Sequence, residues 1–315
     1  MKKKVALIGL GQIGMMYDIN KSSNYILSYS KALQKSKYLE FIGAVDIKKK
    51  KRLLFKKKYN LKTFDTIDNL LKNLNPDIII ISTPTKTHFD LLKRLINFNK
   101  KIIIICEKPI TESYKKIKII EKLIKNKNIK IFTNYMRLSD PKLIYIKNFI
   151  KNNNKTNFFC EVFYNGTLLN NCSHYISLFL TIFGNKFKFK ILNKNKNFFD
   201  FKLIYNNSEV IFYSSSLRNI SYEDIRIINK DEIYSYKNGG SELVNERSVV
   251  NPVYGKGKHY LLKKKFKDNF YKQSQKFTIN EIENLFFNKK KNFIANLKHA
   301  INVHYFIKKI YEKKK

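Results

Sequence analysis

No stretch of this chain reaches the ~18 unbroken apolar residues that a membrane helix needs, so a spanning helix is not expected. The apolar runs that do occur, Ile78 to Ile81 and Ile102 to Ile105, are far shorter and read as buried strands. Met1-Lys-Lys-Lys followed by Val5 to Leu10 mimics the charged start of a signal peptide. Its apolar part runs straight into a glycine turn, which predicts a first β-strand and a cytoplasmic protein. Cysteine is scarce. Cys106, Cys160 and Cys172 show no paired spacing, which fits a reducing compartment without a disulfide framework or a metal site. Arginine is scarcer still relative to charge: of 63 basic residues only six are arginine, against 24 acidic residues and a net charge of +39. The lysines are spread along the whole chain among Asn and Ile, and no zinc-finger, RNA-recognition or helix-turn-helix pattern accompanies them. Bidentate recognition of phosphate or base edges favours Arg, so specific nucleic-acid binding is not expected, only weak salt-sensitive association.

What is present is enough chain for two domains, 315 residues of which 43% are hydrophobic. Up to about Thr133 strands alternate with helices. Strands are expected at Lys3–Leu10, Phe41–Asp46, Asp77–Ser82, Ile102–Cys106 and Ile129–Thr133. Helices are expected at the glycine turn, in the lysine-rich stretch ending near Tyr59, at Thr85–Asn97 and at Ser113–Lys125. Buried strands alternating with amphipathic helices imply an α/β doubly wound parallel sheet over residues 1–133. From 134 to 315 the pattern changes to an α+β domain. A helix at Lys142–Asn152 leads to strands at Asn157–Tyr164, Phe187–Leu192, Phe198–Tyr205, Val210–Ser215, Asp224–Asn229 and Glu232–Tyr236, joined by turn chemistry at Asn206-Asn207-Ser208 and Lys230-Asp231. A mostly antiparallel sheet follows, broken by a helix from about Asn171 to Phe183. Ser241–Gly257 reads as an irregular loop, and Phe293–Tyr311 as a terminal helix.

Four features carry chemistry. Gly9-Leu10-Gly11-Gln12-Ile13-Gly14 follows a strand, as a dinucleotide diphosphate site requires: a tight turn, close backbone approach to phosphate, and helix-on-strand packing. Asp46 ends the second strand, where a carboxylate can accept from both ribose hydroxyls and repel a 2′-phosphate, favouring NAD over NADP. Lys48 to Lys51 blunt that preference. Asp46 lies 32 residues beyond Gly14 rather than the usual ~20, an excess that Met15–Tyr25 can house as an inserted loop before a helix around Ser28–Lys35. Lys108, in Glu107-Lys108-Pro109, stands at the end of a later strand, where open α/β sheets bind ligands. His174 lies in a second region, on the Asn171–Phe183 helix.

These pieces, with Ser82-Thr83-Pro84 and His88, Asn134-Tyr135-Met136-Arg137 before Asp140-Pro141, and Gly166 through His174 to Gly184, resemble the Gfo/Idh/MocA family of NAD(P)-dependent oxidoreductases. The glycine-turn variant and the stretch LLNNCSHYISL are similar to members associated with surface-polysaccharide and nucleotide-sugar biosynthesis. The resemblance implies that Lys108 sits beside the nicotinamide and the reacting carbinol, and that His174 exchanges the hydroxyl proton. Ser82, Thr83, Pro84 and Glu107 would line the nicotinamide ribose, with Asn134 near the ring and substrate. His88 is open between a cofactor-site neighbour and a helix-packing residue. Tyr135, Arg137 and Tyr164 are candidate substrate contacts, though Tyr and Arg in such positions also serve packing. A homodimer or homotetramer is implied as well.

The chemistry agrees with these roles. Oxidising an alcohol moves a hydride to the cofactor and a proton to a base, and imidazole works in both directions near neutrality. An ammonium stabilises charge developing on the carbinol oxygen. Two departures bear on this. Many family members carry aspartates four residues before and three after the histidine, where this chain has Asn170 and Ser177. Asn170 can orient an imidazole or a sugar hydroxyl but cannot carry charge or shuttle a proton. The expectation is an NAD-dependent enzyme acting on a secondary alcohol of a sugar or nucleotide-sugar. Its rivals are a non-catalytic NAD-binding regulator and an inositol or free-sugar dehydrogenase.

Overall fold

The isoleucine runs become the centre of a parallel sheet. The computed structural model describes residues 2–98, 101–153, 155–195, 198–215, 222–266, 268–287 and 294–313, and by internal contacts the chain divides into two compact units. The first comprises Met1–Ser139 and Lys272–Lys308. Its N-terminal part runs β1 (Lys3–Ile8), α1 (Tyr29–Gln34), β2 (Leu39–Val45), α2 (Lys49–Tyr59), β3 (Lys62–Phe64), α3 (Ile67–Asn73), β4 (Ile78–Ile81), α4 (Thr85–Asn97), β5 (Ile102–Glu107), α5 (Tyr114–Leu123) and β6 (Ile129–Asn134). These strands lie in the order β3-β2-β1-β4-β5-β6, all parallel, with Leu7 beside Ile80 and Ile80 beside Ile105 in register. All four residues of β4 are fully buried, which is why they read as an unbroken apolar run rather than an alternation.

The second unit, Asp140–Tyr271 with Lys309–Lys315, is built on an eight-stranded sheet. Its elements are α6 (Pro141–Asn152), β7 (Phe158–Asn165), α7 (Ser173–Phe183), β8 (Lys188–Asn195), β9 (Phe198–Tyr205), β10 (Ser208–Ser215), β11 (Asp224–Ile228), β12 (Glu232–Lys237), β13 (Glu242–Asn251) and β14 (Gly255–Phe266). The order is β14-β13-β12-β11-β7-β10-β9-β8, antiparallel throughout except for the β7–β10 pair. Phe158, Cys160 and Val162 point into the core, where rings of α6 and α7 meet the sheet through Phe149–Phe158 and Phe179–Phe212. Asp140 starts α6 by accepting the Lys142 N–H at 2.9 Å, ahead of proline in the first turn, where a missing N–H costs nothing. The chain then returns to the first unit through most of α8 (Phe270–Phe287), β15 (Ala295–Asn296), which pairs antiparallel with β6, and most of α9 (Leu297–Glu312).

An α/β chain with one parallel and one mostly antiparallel sheet is therefore what forms, but a single cut at residue 133 does not describe the units, because 272–308 packs with the first. Ser241–Gly257 is not a loop: β13 and β14 form a hairpin pairing Leu243 with Phe266 and Ser248 with Leu261. Charged and polar residues on both faces of this edge hairpin hide the alternation that marks a half-buried strand. The short β3 and α3 and the long α8 also escape a reading by apolar period. The final helix begins at Leu297; its expected start at Phe293 lies outside the described residues.

Candidate functional site

The carboxyl ends of β1, β2, β4 and β5 lie along one edge of the parallel sheet, at the reversal of strand order between β1 and β4 where such sheets take ligands. The chain leaves β1 at Gly9 with a φ of 99°, a left-handed conformation that side chains disfavour. A Cβ on Gly14 would lie 2.1 Å from the Gly9 carbonyl oxygen, so the turn closes only with glycine there. Gly11 differs: a Cβ would meet nothing within 4 Å. Packing does not require this glycine, whereas a diphosphate approaching the backbone does. Ser82 buttresses the turn, its hydroxyl donating to the Gly9 carbonyl at 2.8 Å. Gln12 is exposed and Ile13 half-buried within the same turn.

Asp46, 9% exposed, accepts the Leu10 N–H at 2.8 Å on one oxygen and the Lys48 N–H at 2.8 Å on the other. A carboxylate has about four acceptor sites, so two remain for a pair of ribose hydroxyls. Lys51 Nζ stands 3.9 Å from Oδ2. A cleft of about 480 Å³ runs past Gly9, Gly11, Asp46, Ser82, Thr83 and Pro84, with Lys48, Lys51, Lys86 and Arg94 also lining it. Open space over Gly11, a buried acid with spare acceptors and a cleft of this size fit a dinucleotide such as NAD.

The helix at the glycine turn is interrupted. The Ile13 and Gly14 carbonyls, which residues 17 and 18 would reach in an unbroken helix, instead accept the Tyr29 and Ser30 N–H groups at 2.9 and 3.0 Å. Twelve of the 32 residues between Gly14 and Asp46 are thus an excursion, and the remaining ~20 is the ordinary spacing. Asp18 closes the excursion by accepting the Leu27 and Ser28 N–H groups and the Ser28 hydroxyl. An inserted loop at Met15–Tyr25 before a helix around Ser28–Lys35 is what the unusual spacing predicts, and the helix runs Tyr29–Gln34.

At the end of β5, Glu107 is buried. Its Oε1 accepts the Tyr29 hydroxyl at 2.6 Å and the Asn134 amide at 2.7 Å, and that amide also lies 2.7 Å from the Tyr29 oxygen. Burial pushes the Glu107 carboxyl up from its usual value, opposed by the Tyr29 and Asn134 hydrogen bonds and by the nearby Lys108 and His88. Burial and the neighbouring carboxylate push the Tyr29 phenol up in turn. Lys108 is half-buried, and its peptide bond to Pro109 is cis. His88 is fully buried, with Nδ1 3.0 Å from the Pro109 carbonyl and Nε2 2.8 Å from the Thr83 carbonyl. It ties the turn after β4 to the turn after β5. Tyr135 and Arg137 are buried in and before a 3₁₀ turn, Met136–Ser139.

In the second unit, residues Leu168–Cys172 form a π-turn that leads directly into α7, a wider turn often found at functional positions. Asn170 lies exposed in it, while His174, in the first turn of α7, is 7% exposed. Glu223 stands against the same stretch, accepting from the Asn171 amide and the Tyr175 hydroxyl at 3.1 Å each. Tyr164 is fully buried with its hydroxyl donating to the Phe199 carbonyl at 2.7 Å, so packing accounts for it. All three cysteines are free and buried, and burial raises each thiol. Among the described residues no cluster of three or more His, Cys, Asp or Glu side chains could hold a metal, and no helix is long and apolar enough to cross a membrane. Sequence reasoning missed Tyr29, Asp18 and Glu223. Only Ser28, a helix-capping residue after the long spacing, hinted that a helix resumes at Tyr29.

Residues 3–135 match the model of an oxidoreductase family with an NAD-binding Rossmann fold. That model is the Gfo/Idh/MocA one, and it covers less than half of the chain. Parts of the chain also align with curated relatives. An uncharacterized oxidoreductase of Schizosaccharomyces pombe is 30% identical over 93 residues, 30% of this chain and 25% of the relative. The inositol 2-dehydrogenase of Rhizobium meliloti is 30% identical over 82 residues, 26% of this chain and 24% of the enzyme. The alignments thus span about a quarter of these relatives' length. Whole-chain likeness is to solved structures: the super-repressor mutant of Gal80p from Saccharomyces cerevisiae (TM-score 0.81, 14% identity, 99% of this chain and 96% of that one) and the WlbA dehydrogenase from Bordetella pertussis in complex with NADH and UDP-GlcNAcA (TM-score 0.74, 13% identity, 98% and 94%). At such identities the likeness shows a shared fold.

Proposed function

We propose that the protein is an NAD-dependent oxidoreductase that interconverts a secondary alcohol and a ketone on a sugar or nucleotide-sugar, in the biosynthesis of a surface polysaccharide. The observation that carries this is the open backbone at Gly11 in a cleft shared with the buried Asp46. Gly9, Gly11 and Gly14 with Gln12 and Ile13 would cradle the diphosphate, Asp46 the adenosine ribose, and Ser82, Thr83, Pro84 and Glu107 the second ribose. NAD held there would supply the hydride acceptor or donor. Lys108 would hydrogen-bond the carbinol oxygen and stabilise its developing charge. His174 would take or return the hydroxyl proton, and Asn170 would orient a sugar hydroxyl or the imidazole. Asn134, Tyr135 and Arg137 would position the substrate, Arg137 pairing with a carboxylate or phosphate. Asp46 favours NAD, and Lys51 beside it moderates the bias against NADP. The dehydrogenase crystallised with NADH and UDP-GlcNAcA and the inositol 2-dehydrogenase support the substrate class. A homodimer or homotetramer would use the sheet face carrying Phe159 and the stacked Phe163 and Tyr213.

The test is NADH formation from UDP-, GDP- and CMP-sugars and from inositol, with Lys108→Met and His174→Asn run in parallel. Both substitutions should lower turnover by about 10²–10⁴-fold while NADH still binds. The rival reading, a cofactor-binding regulator, is favoured by Asn170 and Ser177 and by the likeness to Gal80p. It requires NADH binding with no turnover on any sugar and no loss of biological function in Lys108→Met.

A further inference from the structure

The Tyr29–Glu107–Asn134 cluster has a composition that packing alone does not require. An acid, a phenol and an amide are sequestered together at the end of β5, one residue from Lys108. Tyr29 is fully buried, 78 residues from Glu107 in sequence, and arrives only because the helix is resumed after the excursion. With the phenol and the Asn134 amide both on Oε1, the carboxylate cannot rotate freely. Oε2 takes a long bond of 3.3 Å from the Lys108 N–H. Phenol and amide both donate to an acceptor-only carboxylate, an arrangement that favours its charged form. A negative neighbour in turn favours an ammonium on the next side chain.

We propose that Tyr29 is a positioning residue of the reaction site, holding the Glu107 carboxylate in one orientation and favouring its charged form beside Lys108. The binding part of the test rests on the cofactor reading above; the protonation part does not. Among the described residues, the titratable and charged groups facing Glu107 include Tyr29 on α1, His88 on α4, and Cys106 and Lys108 on either side of it. The Tyr29 hydroxyl donates to Oε1 at 2.6 Å, a bond that favours the charged carboxylate against burial. Losing it therefore moves the titration upward.

The experiment follows the side-chain carboxyl resonances of ¹³C-labelled glutamate against pH in the full-length protein, with Glu107→Gln identifying the Glu107 signal. NADH binding is measured across the same pH range. Tyr29→Phe keeps the ring and removes the donor. It should raise the Glu107 midpoint and weaken NADH binding on the order of tenfold, the size of one charge-assisted hydrogen bond. Ser30→Ala is the structural control: it removes the 2.8 Å bond to the Gly14 carbonyl at the same helix join and should leave the midpoint in place. An unmoved midpoint in Tyr29→Phe, or an equal shift in Ser30→Ala, overturns the proposal. Absence of NADH binding by the wild type would sink the cofactor reading, while the carboxyl midpoint would still decide the role of Tyr29.

Discussion

Gly11 and Gly14 are three residues apart, and a methyl group at each has a different consequence. At Gly14 the new carbon would overlap the Gly9 carbonyl oxygen, so Gly14→Ala should destabilise the protein by about 3 kcal/mol or more, read by urea unfolding. At Gly11 it would enter open space, so Gly11→Ala should unfold within about 0.5 kcal/mol of the wild type yet bind NADH more weakly. If Gly11→Ala instead unfolds early and binds normally, the cleft is not a diphosphate site. At this scale the sequence was informative where spacing is local. Gly9, Gly14, Ser82 and Asp46 meet because each stands at or just beyond the end of an adjacent strand. Tyr29 was illegible because its partners lie 78 and 105 residues away and no local pattern marks a phenol aimed at a carboxylate.

Among the elements, α6 has the clearest pH signature. Burial pushes the Asp140 carboxyl at its start up to about 6, with Asp268 adding to the rise and Lys142, the Tyr236 hydroxyl and the Lys142 N–H opposing it. That lies above the ~3.9 of an unfolded aspartate, so the stability from this group is full below about pH 4 and lost as pH rises through about 6. Asn caps helices as well as Asp. Asp140→Asn should therefore gain on the wild type across that window, by on the order of 3 kcal/mol. Urea unfolding of both proteins at pH 4 and pH 7 checks this, and a difference that does not change with pH refutes it. Element prediction succeeded where burial imposes a simple period, as in β4 and α4. It failed at β13 and the edge strand β14, a hairpin that carries charge on both faces, and at α8, whose polar and aromatic residues give no clean stripe.

For the whole molecule, two measurements follow from cofactor site and charge. A ligand that binds only the folded state stabilises it by RT ln(1 + [L]/Kd), so NADH at a hundredfold excess over Kd should add about 2.7 kcal/mol and raise the melting temperature. No rise would count against the site. The net charge of +39, carried mostly by lysine, should give DNA association at low ionic strength that falls by about 10³-fold or more between 50 and 200 mM salt. Retention at high salt, with sequence preference, would point to a nucleic-acid function instead.

The amino-acid sequence by itself determined the parallel sheet, the glycine turn, the acid at the end of β2 and the change of style after Pro141, because each follows from near-neighbour periodicity and turn chemistry. The tertiary structure decided how the excess residues between Gly14 and Asp46 are absorbed, which donors surround Glu107, and that 272–308 rejoins the first unit. Those outcomes depend on hydrogen bonds between distant segments, and satisfying a buried carboxylate is a matter of which groups the fold brings within ~3 Å.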